Sequence, residues 1–282
     1  MKILKIAFTL VALAVLATPV VIYTRYINNY TSPYIDVVID SQALGESRKV
    51  FIRLPDNHDA QKSYPLVIKT DGNFNLDRWA ETVTKYDDAI VVAIPNQFWT
   101  DTRNRDLVPP FARKDVNIDA RPANETAREI FGRADSFLAF IETELLPYLE
   151  SRYKLSDDRA LSGYSAGGSF VLYTMITQPS LFNAYFAFSP AAWYDDSVVV
   201  KEFKNNLFKL AGTPKFFYLS LGDQEPSIIT GSFKGLIAAL DENAPKNLVW
   251  AYQFTKEADH GSNPYKSIPT AVAEYSAFKQ QL

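Results

Sequence analysis

From residue 34 onward, short runs of β-branched and aromatic residues alternate with longer amphipathic stretches, and this order constrains the fold more than any other property of the chain. "YIDVVID" (34–40) and "KVFIRLP" (49–55) read as an opening antiparallel pair that turns at Gly45. "PLVIKT" (65–70) and "AIVVAIP" (89–95) are continuous apolar runs, suited to strands covered on both faces, with "NLDRWAETVTKY" between them as a helix. "ADSFLAFIETELLPYLESRY" places Phe137, Phe140, Ile141, Leu145 and Leu149 on one side at helical spacing, and Pro147 is expected to bend that helix. Strands are then predicted at "RALSG", "AYFAFSP", "KFFYLSLG" and "LVWAYQF". Helices are predicted at "AGGSFVLYTMIT", "VVVKEFKNNLFKL", "GLIAALDEN" and "SIPTAVAEYSAFKQQ". Strand, helix, strand in repetition implies a mostly parallel sheet with helices on both faces, where sites lie beyond the carboxyl ends of the strands. The stretch from about 96 to 128 lacks clear periodicity, a length of connection that suggests a lid or binding loop.

The 282 residues suit a single α/β domain, expected over 31–282, preceded by a distinct segment over 1–30. In that segment Lys2 and Lys5 precede "IAFTLVALAVLATPVVIY" (6–23), which carries no charge. Its length sits between a signal peptide's apolar region and a membrane span. Cleavage after Ala17 and retention as an anchor are both consistent with it, and either predicts export, with the domain over 31–282 in the periplasm or outside the cell. Charges of 29 Lys+Arg against 32 Asp+Glu, without blocks of one sign, predict no nucleic-acid partner. With no cysteine, disulfides, thiolate metal sites and a cysteine nucleophile are excluded.

The chemistry is concentrated in "RALSGYSAGGSF" (159–170), which contains Gly163-Tyr164-Ser165-Ala166-Gly167. A serine between glycines, at the junction of a predicted strand and a predicted helix, is the pattern of a nucleophile elbow: the sharp turn needs neighbours without bulky side chains. A small-residue bend would explain the glycines but not the serine at their centre. A serine hydroxyl needs a general base, and the chain has two histidines. His58 lies upstream in the polar turn "PDNHDAQKSYP" and reads as a solvated surface residue. His260, in "EADHGSNP", follows the last predicted strand, where this chain order places the base. "SLGDQEP" offers Glu225 as the acid, three residues past Gly222, with Asp223 as competitor; either could instead cap the following turn. The oxyanion hole is expected from the amides of Ala166, which follows the nucleophile, and Gly72, in the Asp71-Gly72-Asn73 turn after the third strand.

"TDGNFNLDR", "RNRDLVPP", "GRADSFLAFIETELLPYLESRY", "RALSGYSAGGSFVLY", "FNAYFAFSPAAWYDD" and "ADHGSNPYKS", in this order, resemble the Putative esterase family of α/β-hydrolases, and most closely its siderophore (trilactone) esterase branch. The resemblance runs from about residue 34 to the C-terminus. It implies an α/β-hydrolase fold and carboxylic ester hydrolysis through an acyl-serine, with Ser165 and His260 at the matching positions and Glu225 as acid. No metal or organic cofactor is implied, and the expected partner is a small-molecule ester. Two departures stand out: Ser189-Pro190-Ala191-Ala192-Trp193-Tyr194 where Ser-Pro-Ser-Leu-Trp-Trp is usual, and Lys69-Thr70 where apolar residues are usual. Residues 101–133 mix Arg103, Arg105, Arg113, Lys114, Arg121, Arg128 and Arg133 with Asp101, Asp106, Asp115, Asp119, Glu125 and Glu129, so charge alone predicts no basic funnel for a polyanion. A noncatalytic ligand-binding protein on the same scaffold, or an acyltransferase in which another acceptor replaces water, are the alternatives.

Overall fold

The apolar runs form the strands predicted for them, and their burial decides their place in the sheet. The computed structural model describes residues 18–19, 34–72, 89–97, 102–115, 128–129 and 132–281. The antiparallel entry is β1 (Ile35–Ser41) and β2 (Glu46–Arg53), with Gly45 at φ 67° in the turn between them. The sheet continues with β3 (Tyr64–Lys69), β4 (Ile90–Ala93), β7 (Leu155–Tyr164), β8 (Ala184–Phe188), β9 (Lys215–Gly222) and β10 (Leu248–Thr255). Two-residue strands β5 (Lys114–Asp115) and β6 (Arg128–Glu129) pair separately. The eight main strands run in the order β1-β2-β4-β3-β7-β8-β9-β10. β2 meets β4 antiparallel, and from β4 to β10 every pairing is parallel. The expected α/β-hydrolase architecture is therefore present, with β8 and β9 buried along their whole length as strands covered on both faces must be.

The helices are α1 (Thr102–Leu107), α2 (Ala134–Phe140), α3 (Leu146–Glu150), α4 (Ala166–Thr177), α5 (Tyr194–Asn206), α6 (Ser227–Asn243) and α7 (Asn263–Lys279). One face of the sheet packs Leu66, Ile68, Leu161, Phe217 and Leu219 with Phe137, Phe170, Phe203, Phe233 and Leu236 from the helices. The other face packs Val67, Val91, Phe186, Phe216 and Tyr218 with Ile268, Val272, Tyr275 and Phe278 of α7. Alternation of successive strand residues between these clusters is the period-two pattern of a pleated sheet.

Several boundaries differ from expectation for local reasons. Pro147 does not simply bend one helix: a π-helical turn, Ile141–Leu145, stands between α2 and α3, and the Leu146 amide reaches back to the Ile141 carbonyl. Pro147 has no N–H and its ring collides with a regular α-helical continuation, so the added residue in the turn accommodates it. α7 starts at Asn263, earlier than its apolar run, because Pro264 occupies its first turn, where a missing N–H costs nothing. α5 contains Asp195, Asp196 and Ser197 at positive φ, a left-handed turn ahead of the regular helix. The helix expected over 75–86 and nearly all of the N-terminal segment lie outside the described residues. The long connection contains α1 and the β5–β6 pair, so it is not wholly irregular.

Candidate active site

β7 runs into α4 through Ser165, which holds φ 56° and ψ −116°, outside the regions a non-glycine residue populates freely. The surrounding glycines make that turn possible. A Cβ on Gly163 would lie 2.1 Å from the Gly167 carbonyl oxygen, one on Gly167 2.4 Å from Thr70 Oγ1, and one on Gly168 2.7 Å from the Pro190 Cα. The elbow is therefore wedged between the tips of β3 and β8 with no room for side chains at these three positions. The Ser165 amide donates to the Phe188 carbonyl at 3.0 Å, and the Ala191 amide donates to the Ser165 carbonyl at 2.9 Å, which fixes the turn against β8.

His260 and Glu225 come from the loops after β10 and β9. His260 Nε2 lies 3.0 Å from Ser165 Oγ, and Nδ1 lies 2.7 Å from Glu225 Oε2. Glu225 Oε1 accepts from the Gly222 amide at 2.8 Å and from Ser189 Oγ at 2.6 Å. The Glu225 side chain is fully buried, whereas 30% of the His260 side chain is exposed. A carboxylate can only accept, so the proton on His260 belongs on Nδ1; Nε2 then presents a lone pair to the serine hydroxyl. Side chains 95 and 35 residues apart in sequence thus meet in one hydrogen-bonded line.

Asp223 is placed elsewhere. It is exposed, its carboxylate accepts from the Ala258 amide at 3.2 Å, and its own amide donates to the Thr255 carbonyl at 3.0 Å. It ties the acid loop to the histidine loop and does not reach the imidazole. A Cβ on Gly222 would lie 2.1 Å from the Ala258 carbonyl oxygen, a further sign of how closely the two loops approach. His58 is partly buried rather than fully solvated: its ring stacks on Tyr64 at 5.1 Å and meets Tyr153 edge-on at 6.1 Å.

Ala166 opens α4, where first-turn amides have no acceptor within the helix and the helix dipole favours negative charge. Gly72 does not supply the second donor in this arrangement. Its amide donates to the Ile94 carbonyl at 2.9 Å, so the expectation that it faces a substrate oxygen is corrected. Gly72 is needed for space instead, because a Cβ there would lie 2.8 Å from the Ile94 carbonyl carbon. That the Gly72 turn packs against the tip of β4 is a long-range fact that a local turn signal does not contain.

Beside this turn lies a charged cluster that the sequence reading did not assemble. Asp71, at φ 52° and buried, accepts two hydrogen bonds from Arg103, at 2.7 and 3.0 Å, and one from Asn96. Arg103 also donates to the Tyr164 carbonyl at 3.1 Å, linking the turn after β3 to the residue before Ser165. Lys69 is buried and donates to the carbonyls of Thr70 and Asp71 at 3.1 and 3.0 Å. Burial pushes its ammonium down to about 8, against the pull of Asp71 and helped by Arg103. Between that value and the unfolded value of about 10.4, the unfolded chain holds a proton that the folded chain has released, so stability rises with pH. Relative to Lys69→Met, the wild type should therefore gain about 2 kcal/mol between about pH 7.5 and about pH 9.5, measured by urea unfolding. A flat difference across that window would contradict the burial of the charge.

Two aromatic rings flank His260, the half-buried Tyr164 and the buried Trp193. The Tyr164 ring centroid lies 5.0 Å from that of His260, and Trp193 meets His260 edge-on at 6.1 Å. Burial pushes the Tyr164 phenol well above its usual range, so it stays neutral beside the imidazole. Among the described residues, no group of three or more His, Cys, Asp or Glu could hold a metal ion.

Residues 41–206 match the family model described as Putative esterase. The ferri-bacillibactin esterase BesA of Bacillus subtilis is 27% identical over 214 residues, covering 70% of this chain and 73% of that protein. A siderophore enterobactin esterase of Emericella nidulans is 35% identical over 118 residues, covering 40% of this chain but only 38% of the fungal protein. Among solved structures, the BES protein from Bacillus cereus superposes with a TM-score of 0.74 at 23% identity, over 86% of this chain and 95% of that one. An IroE-like serine hydrolase from Shewanella oneidensis gives 0.74 at 24%, over 87% and 79%. These two likenesses are of fold. The family match, across more than half of its length, places the chain in the Putative esterase family, as a carboxylic ester hydrolase, and the fold is that of the α/β-hydrolases.

Proposed function

We propose that the chain hydrolyses a siderophore trilactone through an acyl-serine intermediate, with Ser165 as nucleophile, His260 as general base and then acid, and Glu225 as the group that orients the imidazole. The observation that carries this reading is the unbroken line from Ser165 Oγ through His260 to the buried Glu225 carboxylate. His260 Nε2 takes the hydroxyl proton as Ser165 Oγ bonds to the ester carbonyl carbon. The Ala166 amide, at the head of α4, faces the charge that develops on the carbonyl oxygen. Collapse breaks the ester C–O bond, and the proton on His260 passes to the leaving alkoxide. Water then repeats the sequence, giving the hydroxy acid and free enzyme.

The substrate class comes from the relatives, whose names are those of bacillibactin and enterobactin esterases. The half-buried Tyr164 ring beside His260 would suit a flat aryl group on such a ligand. Export is part of the proposal and rests on Lys2, Lys5 and the uncharged stretch 6–23. The test is ring opening of a catecholate trilactone, with and without iron, followed by mass spectrometry beside short aryl esters. Production of the linear hydroxy acid, absent with Ser165→Ala, is the expected result. Turnover of aryl esters without any trilactone cleavage would remove the siderophore and keep the esterase; an inert, unlabelled Ser165 in folded protein would remove both.

A further inference from the structure

The carboxylate of Glu225 is held by more than the imidazole. Ser189, immediately after β8, is completely buried and holds φ 44°, a conformation that costs a non-glycine residue. Its hydroxyl lies 2.6 Å from Glu225 Oε1 and 2.8 Å from Asn263 Nδ2, the side chain at the first position of α7. Asn263 is also completely buried. Its Nδ2 lies 3.1 Å from Ser220 Oγ, and its Oδ1 lies 2.6 Å from Thr255 Oγ1. Ser220 Oγ in turn lies 2.9 Å from Ser267 Oγ, which donates to the Asn263 carbonyl at 2.8 Å.

The direction of every bond in this network can be worked out from donor and acceptor inventory. A carboxylate has no proton to give, so the single Ser189 proton points to Glu225. Towards Asn263, Ser189 then offers only lone pairs, so the amide must present its NH2 there, which turns its oxygen to the Thr255 hydroxyl. The second Asn263 proton goes to Ser220, whose own proton goes to Ser267, and the Ser267 proton ends on a backbone carbonyl. Each proton in this buried network has one acceptor and none is left over. A fully satisfied network of this kind has one arrangement, and that rigidity is transmitted to the group at its end.

Resting on the triad reading above, we propose that Ser189 and Asn263 are positioning residues that hold the Glu225 carboxylate, and through it the His260 ring, in the one orientation that faces Ser165. The hydroxyl of Ser189 explains why a non-glycine residue occupies a left-handed conformation that glycine would adopt without strain. The same comparison supplies the test. Ser189→Ala and Ser189→Gly both remove the hydroxyl, but only the second relieves the backbone. If the hydroxyl positions the acid, kcat falls about 10-fold or more in both variants, with KM within about twofold of wild type, whatever their melting temperatures. Asn263→Asp, which replaces the NH2 donor by an oxygen and competes for the Ser189 proton, should lose at least as much.

A second readout does not need turnover. The proton between His260 Nδ1 and Glu225 should give a downfield proton resonance, identified against His58→Gln, and it should move upfield or vanish in both Ser189 variants. Wild-type kcat in either Ser189 variant, a loss in Ser189→Ala that Ser189→Gly restores, or an unmoved resonance would each overturn the proposal. If wild type cleaves no ester, the esterase reading fails, while the resonance still decides whether Ser189 and Asn263 hold the pair.

Discussion

Replacing Ser165 by alanine should reduce kcat/KM on any ester the protein accepts by about 10^4- to 10^6-fold, and His260→Ala should cost nearly as much. The double variant should be little worse than either alone, because in the proposed mechanism the hydroxyl and the imidazole act as one unit: without the base the serine is a weak nucleophile, and without the serine the base has nothing to activate. The geometry makes the size of the effect specific. Ser165 is fixed by backbone bonds to β8 on one side and by glycine contacts on the other, and His260 Nε2 is already at 3.0 Å from its oxygen. Neither group needs a large rearrangement to react. A fluorophosphonate probe should label wild type once per chain and leave Ser165→Ala unlabelled. A loss of less than about tenfold in folded Ser165→Ala would mean that the chemistry runs elsewhere.

The second large effect separates the two acids of the β9 loop. Glu225→Gln retains the volume of the side chain but loses the charge that stabilises the imidazolium, and should reduce kcat by about 10^3- to 10^4-fold. Asp223→Ala should leave kcat within about threefold of wild type, since its carboxylate faces the Ala258 amide and not the ring. Its cost should appear in thermal stability, through the bond that joins the two loops. Near-native turnover in both variants would indicate that serine and histidine suffice as a dyad. The reverse order, with Asp223 the more damaging to kcat, would require a different loop arrangement from the one described.

The parts of the site that could be read from sequence were those with a local cause. Ser165 announces itself because the elbow needs glycines within a few residues, and Gly163, Gly167 and Gly168 are those residues. His260 follows from chain order and from the scarcity of histidine, and Glu225 from its offset past Gly222. Asp223 and Glu225 could not be separated with the same force, because which of two nearby acids turns inward depends on the partner loop 35 residues away. The Gly72 amide departs from expectation for the same kind of reason: its acceptor, the Ile94 carbonyl, lies just past the end of β4. Lys69 and Arg103 looked like an unusual strand end and one charge among many in a mixed loop. Only the fold brings both to Asp71. Fold class was legible throughout because it depends on the order of elements, whereas the starts of α6 and α7 were not, since Gly231 interrupts the helical pattern ahead of the apolar run of α6 and the first turn of α7 is Asn263-Pro264-Tyr265-Lys266.

The knitting of the β9 and β10 loops has a mechanical consequence. Glu225 and His260 are carried on adjacent parallel strands whose exits are joined by the Asp223 amide, the Gln224 amide and the close pass of Gly222 over Ala258, so they travel as a single block. Ser165 stands on the far side of β8. Opening of the sheet between β7 and β8 would lengthen the reach from His260 to Ser165, while Ser189, at the end of β8, would stay hydrogen-bonded to Glu225. The distance from Ser165 to His260 is therefore set at one seam, the pairing of β7 with β8, beyond which β8, β9 and β10 carry Ser189, Glu225 and His260 together.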